Sequence, residues 1–236
     1  AFAFPEILPF PWDWEGWNKA AGMESAFLNP GEAWEDSARK KQWEQEANRS
    51  EIRRCVEAML GEAPPRAAVD NMTYGLNQEH MQQLLNHQDP GKGLTCESLM
   101  FGEYIHADIY RPQPAKGEEQ KLPAILWLPG ACVPRGYGTA YRRGEQPFHS
   151  LARAGYAVFC FDPIGTGARI PEITEFYDRY PRWSVLGKMI RDDQAAIDAI
   201  RQIAYIDSDR IYVVGYGLGA FAALHLAALD DRPTGY

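Results

Sequence analysis

Three uninterrupted apolar runs in the second half of the chain predict buried β-strands. They span residues 122–128, 156–161 and 211–214, and each is followed by a turn that contains glycine or proline. Strands that are covered on both faces, as in parallel sheets, are typically apolar throughout rather than alternating. Before these runs, apolar and polar residues alternate on both sides of Gly102-Glu103, which predicts a hairpin that ends at Pro112.

Between these runs, the spacing of the apolar residues indicates helices. An apolar stripe predicts a long helix over about 184–204, with Arg191, Asp192 and Asp193 among its polar positions. A short helix fits residues 148–153, and an Ala/Leu-rich helix follows the last run. Strand and helix therefore alternate, which predicts the α/β class: a three-layer fold with a mainly parallel sheet clad by helices.

The first 90 residues follow another pattern. Residues 1–17 are rich in proline and aromatic residues, which predicts an extended arm that packs its rings on its own domain or offers them to a sugar or a partner. A helix is predicted from about Asp36 until Gly61 and Pro64-Pro65 end it, and a shorter one fits residues 72–88. We therefore divide the chain into an aromatic-rich arm with a helical extension, residues 1–90, and an α/β domain, residues 91–236.

Composition and charge exclude several classes of function. The chain has 236 residues, of which 45% are hydrophobic and 24% charged, as is ordinary for a globular protein. Its net charge of −8 argues against a nucleic-acid partner, and no apolar run is long enough to predict a membrane span. The four cysteines are far apart and no histidine stands at ligand spacing, so no metal site and no cofactor is predicted.

The last apolar run leads into a turn with three glycines, Gly215, Gly217 and Gly219. As G-x-G-x-x-A, ending at Ala220, this turn matches a dinucleotide-binding fingerprint. As G-x-S-x-G, it matches the turn that presents the nucleophile of α/β-hydrolases, with Gly217 at the position of the serine. The glycines alone do not separate these two interpretations.

Four segments together resemble the N-terminal half of an α/β-hydrolase, in the branch of secreted esterases related to acetyl xylan esterases and prolyl oligopeptidases. These are Pro129-Gly130 after an apolar strand, the D-x-x-G-x-G segment from Asp162 to Gly167, the helix before the last strand, and the glycine turn itself. The resemblance implies an incomplete α/β-hydrolase fold and favours a secreted or periplasmic protein. Nucleotide binding is disfavoured, because a dinucleotide fingerprint follows the first strand of its unit, whereas several strands precede this turn.

The resemblance also implies a set of site residues. Gly217 holds the nucleophile position, so the attacking hydroxyl is absent, and Leu218 with Ala131 or Cys132 would supply the backbone N–H groups of an oxyanion hole. Cys160, His149 and His225 are interpreted as packed or solvated residues rather than as substitutes for the catalytic groups. Candidate substrate contacts are Tyr216, Glu172, Glu175, Tyr177, Arg179, Tyr180 and Trp183, although all but Tyr216 fit a solvated loop equally well.

The acid and the histidine of the family follow later strands, which the sequence as written does not contain. We therefore expect an ester or peptide hydrolase segment that is inactive alone and binds a small ester or carbohydrate. A second chain or a downstream segment would complete the sheet, since residues 211–214 would otherwise form an uncovered apolar edge. Two alternatives stay open: a natural non-catalytic pseudohydrolase that binds a ligand or holds a partner, and nucleotide binding at the glycine turn.

Overall fold

A computed structural model describes residues 46–66, 73–74, 91, 93–114, 121–139 and 144–236 of the chain. The aromatic arm and the start of the first predicted helix lie outside the described residues. The chain divides into two units, residues 1–52 and 53–236. Of the first unit, only the beginning of helix α1 (Glu46–Leu60) is described. The predicted domain boundary near residue 90 stays a prediction.

The second unit contains a six-stranded sheet. Its strands are β1 (Thr73–Tyr74), β2 (Leu94–Phe101), β3 (Ile105–Pro112), β4 (Leu122–Leu128), β5 (Ala157–Phe161) and β6 (Ile206–Gly215), in the order β1-β2-β3-β5-β4-β6. Strand β4 pairs in parallel with β5 and β6, whereas the other pairings are antiparallel. The α/β class is confirmed, but the sheet is mixed rather than mainly parallel, because the hairpin of β2 and β3 joins β5 in antiparallel register.

Helices cover the sheet on both faces. After α1 they are α2 (Pro147–Arg153), α3 (Ile170–Thr174), α4 (Phe176–Arg179), α5 (Val185–Gln202) and α6 (Leu218–Leu229). One apolar cluster joins Leu126 of β4 to α5 and α6, and a second joins its neighbour Trp127 to Phe148 of α2. Because successive residues of a strand point to opposite faces, these two clusters lie on opposite sides of the sheet. The three-layer arrangement is therefore confirmed.

Local signals place the ends of several elements. Helix α1 ends at Leu60 because Gly61 adopts a φ of +82°, a conformation that favours glycine. Helix α5 begins after Ser184, whose hydroxyl accepts a hydrogen bond from the Gly187 N–H at 2.9 Å. Among the residues that the structure describes, no helix has both the length and the apolar character that a membrane crossing requires.

The structure corrects two of the predicted elements. Thr73 and Tyr74, within the second predicted helix, form β1 instead, opposite Met100 and Leu99 of β2. A β-branched and an aromatic residue favour this pairing, and the rest of that predicted helix lies outside the described residues. The acidic and aromatic segment with the candidate contacts Glu172 to Trp183, which also fits a solvated loop in sequence, contains most of α3 and all of α4.

Candidate active site

The glycine turn joins β6 to α6 at the C-terminal edge of the parallel strands. Gly217 connects the two elements with a φ of 57° and a ψ of −117°, a backbone conformation open almost only to glycine or to a strained residue. The Tyr216 N–H donates to the Leu128 carbonyl at 3.0 Å, and the Gly219 N–H donates to the Tyr216 carbonyl at 3.0 Å. The turn is therefore tied to the end of β4 as well as to its own helix.

The flanking glycines are present because main chain approaches them closely. A Cβ on Gly215 would lie 2.6 Å from the nitrogen of Ala220, and a Cβ on Gly219 would lie 2.6 Å from the Pro129 carbonyl oxygen. Real Cβ atoms do not come so near to backbone atoms, so neither position accepts a side chain without movement of the chain. Gly215 and Gly219 thus let β6, β4 and α6 meet.

Gly217 differs from its neighbours because space is available beside it. A Cβ at this position would lie 3.6 Å from the Cα of Gly130, an ordinary van der Waals distance, and Gly217 itself is exposed. The Cβ of a serine would therefore meet no steric obstacle, although the positive φ would strain the residue. The sequence-based interpretation of Gly217 as a nucleophile position without its hydroxyl stays a prediction.

The loop after β4 lies next to this turn. Leu128 pairs with Gly215 in the parallel register, and Gly130 lies next to Tyr216 and Gly217, so the loop that continues with Ala131 and Cys132 starts beside the glycine turn. Ala131 is exposed and Cys132 is buried. Leu218 begins α6, and the first N–H groups of a helix have no partner within it. The three predicted oxyanion-hole residues therefore lie on the two segments that meet at Gly217.

Cys132 is a poor substitute for the serine. Its burial raises the pKa of the thiol, and the nearby Asp162 carboxylate adds to that rise, whereas a hydrogen bond with Thr166 opposes it. A thiol with a raised pKa is rarely present as the nucleophilic thiolate. Cys132 can thus contribute only its backbone to this site.

His149 and His225, the two histidines considered in the sequence, are both buried. His225 is buried on α6, with Nδ1 2.7 Å from the Phe221 carbonyl oxygen and its ring 4.4 Å from the Phe221 ring. His149 is buried on α2, with its ring 4.9 Å from the Tyr110 ring. Of the two predicted environments, packed or solvated, both side chains have the packed one.

The predicted substrate contacts have different surroundings in the structure. Tyr216 is 63% exposed beside Gly130, whose Cβ would lie 3.1 Å from the Tyr216 ring, so this side chain faces solvent next to the glycine turn. Tyr177 is exposed, and Glu175 forms a surface ion pair with Arg179 at 2.9 Å. Glu172 is held by Arg169 through two hydrogen bonds.

The prediction that Trp183 contacts substrate is wrong. Its side chain is only 3% exposed and packs against Phe176 and Tyr180, with the Arg191 guanidinium 4.5 Å from the ring centre. Residues that the sequence presents as one aromatic loop are thus divided, because Phe176 and Trp183 enter the core while Tyr177 remains outside. A substrate cannot reach Trp183 in this arrangement.

A buried ion network behind the site was not predicted. Asp192 accepts from Arg169 at 2.8 Å and from Lys188 at 2.6 Å, and all three side chains are almost fully buried. Arg169 also donates to the main-chain carbonyl of Asp162 at 3.0 Å. Placing Asp192 on a polar helix face was therefore wrong. Burial raises the pKa of Asp192 although both cations oppose the rise, and it raises that of its neighbour Asp193 well above the ordinary value.

The segment after β5 is organised by the Asp162 side chain. Its carboxylate accepts the Tyr137 N–H at 2.7 Å and the Ala168 N–H at 3.2 Å. A Cβ on Gly136 would lie 2.5 Å from one of its oxygens, and Gly167 packs against the other. Asp162 thus joins the loop after β4 to the loop after β5. Among the described residues, no group of three or more His, Cys, Asp or Glu side chains is placed to hold a metal ion.

The sequence comparisons match part of this chain to one family of hydrolases. A sequence model of the alpha/beta hydrolase family matches residues 125–234. The Bacillus subtilis protein YtaP, named as a candidate hydrolase, is 27% identical over 78% of this chain and 61% of its own length. Dipeptidyl-peptidase 5 of Porphyromonas gingivalis is 26% identical over 50% of this chain and 16% of its own length.

Two solved structures share the fold at low identity. A candidate acetyl xylan esterase from Bacteroides fragilis aligns with a TM-score of 0.56 at 16% identity, over 84% of this chain and 53% of its own. A glucuronoyl esterase from Solibacter usitatus aligns with a TM-score of 0.55 at 19% identity, over 82% of this chain and 57% of its own. The chain thus spans between half and two thirds of the length of YtaP and of both these structures.

Proposed function

Because the chain belongs to the α/β-hydrolase superfamily, we propose that it contributes the nucleophile turn and the oxyanion loop of an ester-hydrolase site whose serine position holds Gly217. The observation that carries this proposal is the conformation of Gly217. Its φ of 57° and ψ of −117° put an exposed residue between β6 and the N-terminus of α6, beside Gly130. In the proposed site, a serine at that point would lie next to the N–H groups that hold a developing oxyanion.

The chemistry of such a site requires a hydroxyl that attacks the ester carbonyl. A histidine removes the proton, an acidic residue orients the histidine, and backbone N–H groups stabilise the tetrahedral intermediate. Gly217 has no atom that can attack, so no acyl-enzyme forms on it. The part of the site that we propose to be retained is the set of N–H groups of Leu218 and of Ala131 or Cys132, which would suit a carbonyl or carboxylate oxygen. The proposed ligand is a small ester, and the esterase names of the structural relatives favour a carbohydrate ester.

A non-catalytic role is the second candidate, and Gly217 itself favours it. A pseudohydrolase would keep the fold and the oxyanion loop but bind a ligand or hold a partner without turnover. The same residue therefore supports both candidates, and only the effect of restoring the hydroxyl separates them. We do not propose nucleotide binding at the glycine turn, because the family match over residues 125–234 favours the hydrolase interpretation.

A further polypeptide segment is part of the proposal. Helix α6 has no charged residue, and its outer face exposes Leu218 (39%), Phe221 (49%) and Leu224 (70%). A helix that is apolar on all sides is normally buried. Residues 234 and 235 already pair with the outer edge of β6. The Thr234 N–H donates to the Ile211 carbonyl at 2.6 Å, and Gly235 pairs in parallel with Tyr212. We propose that a second chain or a downstream segment continues this pairing and covers α6.

The test restores the hydroxyl and controls for its strain. Gly217→Ser adds the nucleophile, and Gly217→Ala adds the same Cβ at the same positive φ without it. Both variants and the parent protein, in their full natural context, are incubated with p-nitrophenyl acetate. Release of p-nitrophenol and an acetyl adduct on residue 217, found by mass spectrometry in the Ser variant alone, support the hydrolase site. Equal background rates in all three proteins would overturn the hydrolase proposal and leave the binding role.

A further inference from the structure

The loop that carries Ala131 and Cys132 is held firmly at both ends and loosely between them. At its start, Leu128 pairs with Gly215 and accepts the Tyr216 N–H. In its middle, Val133, Pro134 and Arg135 are exposed to solvent. Exposed loop residues with few contacts do not hold their own backbone in place. Besides the contact of the buried Cys132 side chain with Thr166, the position of the N–H groups at 131 and 132 therefore depends on what fixes the far end of the loop.

Tyr137 fixes that end through two separate groups. Its backbone N–H donates to the Asp162 carboxylate at 2.7 Å, which ties it to the end of β5. Its hydroxyl donates to the carboxylate of Asp108 on strand β3. The Tyr137 ring also packs on the Phe148 ring of α2, with centroids 5.4 Å apart. One residue thus connects the loop to two strands and a helix.

Tyr137 is connected to Cys132 through one residue and one hydrogen bond. The preceding residue, Gly136, donates its N–H to the Cys132 carbonyl at 2.8 Å. Gly136 has little freedom, because its Cα packs against the Asp162 carboxylate. A shift of Tyr137 would therefore act through Gly136 and this hydrogen bond on the peptide group that follows Cys132.

The acceptor of the Tyr137 hydroxyl is itself held in place. Asp108 is buried and accepts from the Ser98 hydroxyl at 2.7 Å. The Tyr110 hydroxyl lies 3.1 Å from the Tyr137 hydroxyl. Burial and the Asp108 charge both raise the pKa of Tyr137, so its proton stays on the hydroxyl and available to donate. Hydrogen bonds to a buried charge are stronger than those between neutral groups at the surface.

We propose that Tyr137 is a positioning residue of the oxyanion loop: its hydroxyl, bound to Asp108, and its N–H, bound to Asp162, hold the N–H groups at 131 and 132 in place beside Gly217. This inference rests on the proposed function for its chemical meaning, but the anchoring itself can be measured without any turnover. Tyr137 is not among the residues proposed to contact the ligand, so its role is one of positioning.

The chain offers a matched pair of variants for the test. Tyr137→Phe removes the hydroxyl that anchors the loop, and Tyr110→Phe removes a hydroxyl of the same buried cluster from strand β3. In the full protein, hydrogen exchange of the amides at 130–138 is compared with that of β4 and β5. Faster exchange confined to the loop, in Tyr137→Phe and not in Tyr110→Phe, is the expected result. Unchanged loop exchange in Tyr137→Phe, or the same rise in both variants, would overturn the inference; exchange that rises in the strands as well reports global destabilisation and counts against it.

A second arm gives the role a catalytic readout. In the Gly217→Ser background, Tyr137→Phe is expected to lower kcat by up to about 100-fold with little change in KM, whereas Tyr110→Phe leaves both nearly unchanged. Should Gly217→Ser show no hydrolysis while loop exchange still responds to Tyr137→Phe, the anchoring stands and the hydrolase proposal fails. Should Gly217→Ser hydrolyse esters equally well with and without the Tyr137 hydroxyl, the positioning role fails and the hydrolase proposal stands.

Discussion

Two glycine-containing turns follow β5 and β6, the two strands that pair in parallel with β4, and they need their glycines for different reasons. After β6, Gly215 and Gly219 leave room for main chain, namely the first turn of α6 and the carbonyls at the end of β4. After β5, Gly167 leaves room for the Asp162 carboxylate, as does Gly136 of the neighbouring loop. The glycine pattern predicts close approach in both places, but it does not say what approaches.

This difference decides which substitution each turn tolerates. The turn after β6 is shaped by backbone packing, and the side chain at 217 takes no part in it, so the serine of the family can be absent while the geometry remains. The turn after β5 is shaped by one side chain, because Asp162 receives the N–H groups of Tyr137 and Ala168. The absence of a side chain at 217 should therefore leave the turn after β6 intact, whereas removal of the Asp162 side chain should destabilise the turn after β5.

The largest effect is expected from a methyl group placed in the backbone-packed turn. In Gly219→Ala the new Cβ would collide with the carbonyl oxygens of Leu128 and Pro129, and backbone on both sides leaves it nowhere to move. We expect a loss of more than about 4 kcal/mol in the free energy of unfolding, measured by urea denaturation. Gly138→Ala is the control, since its Cβ would have open space within 4 Å. Equal midpoints for the two variants would contradict the proposed packing.

A smaller but clear loss is expected from the carboxylate-centred turn. Asp162→Ala leaves the Tyr137 and Ala168 N–H groups without their acceptor, which should lower the free energy of unfolding by about 2–3 kcal/mol. Asp207→Ala serves as the comparison, because Asp207 also accepts a nearby N–H, from Asp209, but at the surface. Its loss should be much smaller, since water replaces the acceptor there. A larger loss in Asp207→Ala than in Asp162→Ala would show that burial does not set the strength of this anchor.

Much of the fold could be predicted because its signals are local. Continuous apolar runs marked β4, β5 and β6, and Ser184 and Gly61 marked the ends of α5 and α1. What escaped prediction depends on distant partners. Thr73 and Tyr74 become a strand only because β2 lies beside them. Asp192 is buried with two cations beside it, and one of them, Arg169, lies 23 residues away.

The site divides in the same way. The glycine turn and the loop after Pro129 are continuous in sequence, so both could be predicted from their motifs. Tyr137 was not predicted to have a role, because it lies in a loop and its partner Asp108 lies 29 residues earlier, on strand β3. Trp183 was placed with the substrate contacts because a sequence does not show which rings of an aromatic segment enter the core. The anchors behind a site are thus harder to predict than the turns that present it.

The smallest effect is a dependence on pH that should appear in one turn and not in the other. Burial raises the pKa of Asp162, although its hydrogen bonds from Tyr137 and Ala168 lower it. Folding therefore favours the protonated carboxyl, so the contribution of Asp162 to stability is greatest below about pH 4 and declines as the pH rises through the folded-state pKa. Asp162→Asn does not titrate, so its stability relative to the parent should improve from about pH 4 to about pH 7. Urea denaturation across this range measures the difference, and other acids cancel because both proteins contain them. Gly138→Ala should show no such trend, and a trend of opposite sign in Asp162→Asn would mean that the hydrogen bonds, not burial, dominate the pKa of this carboxyl.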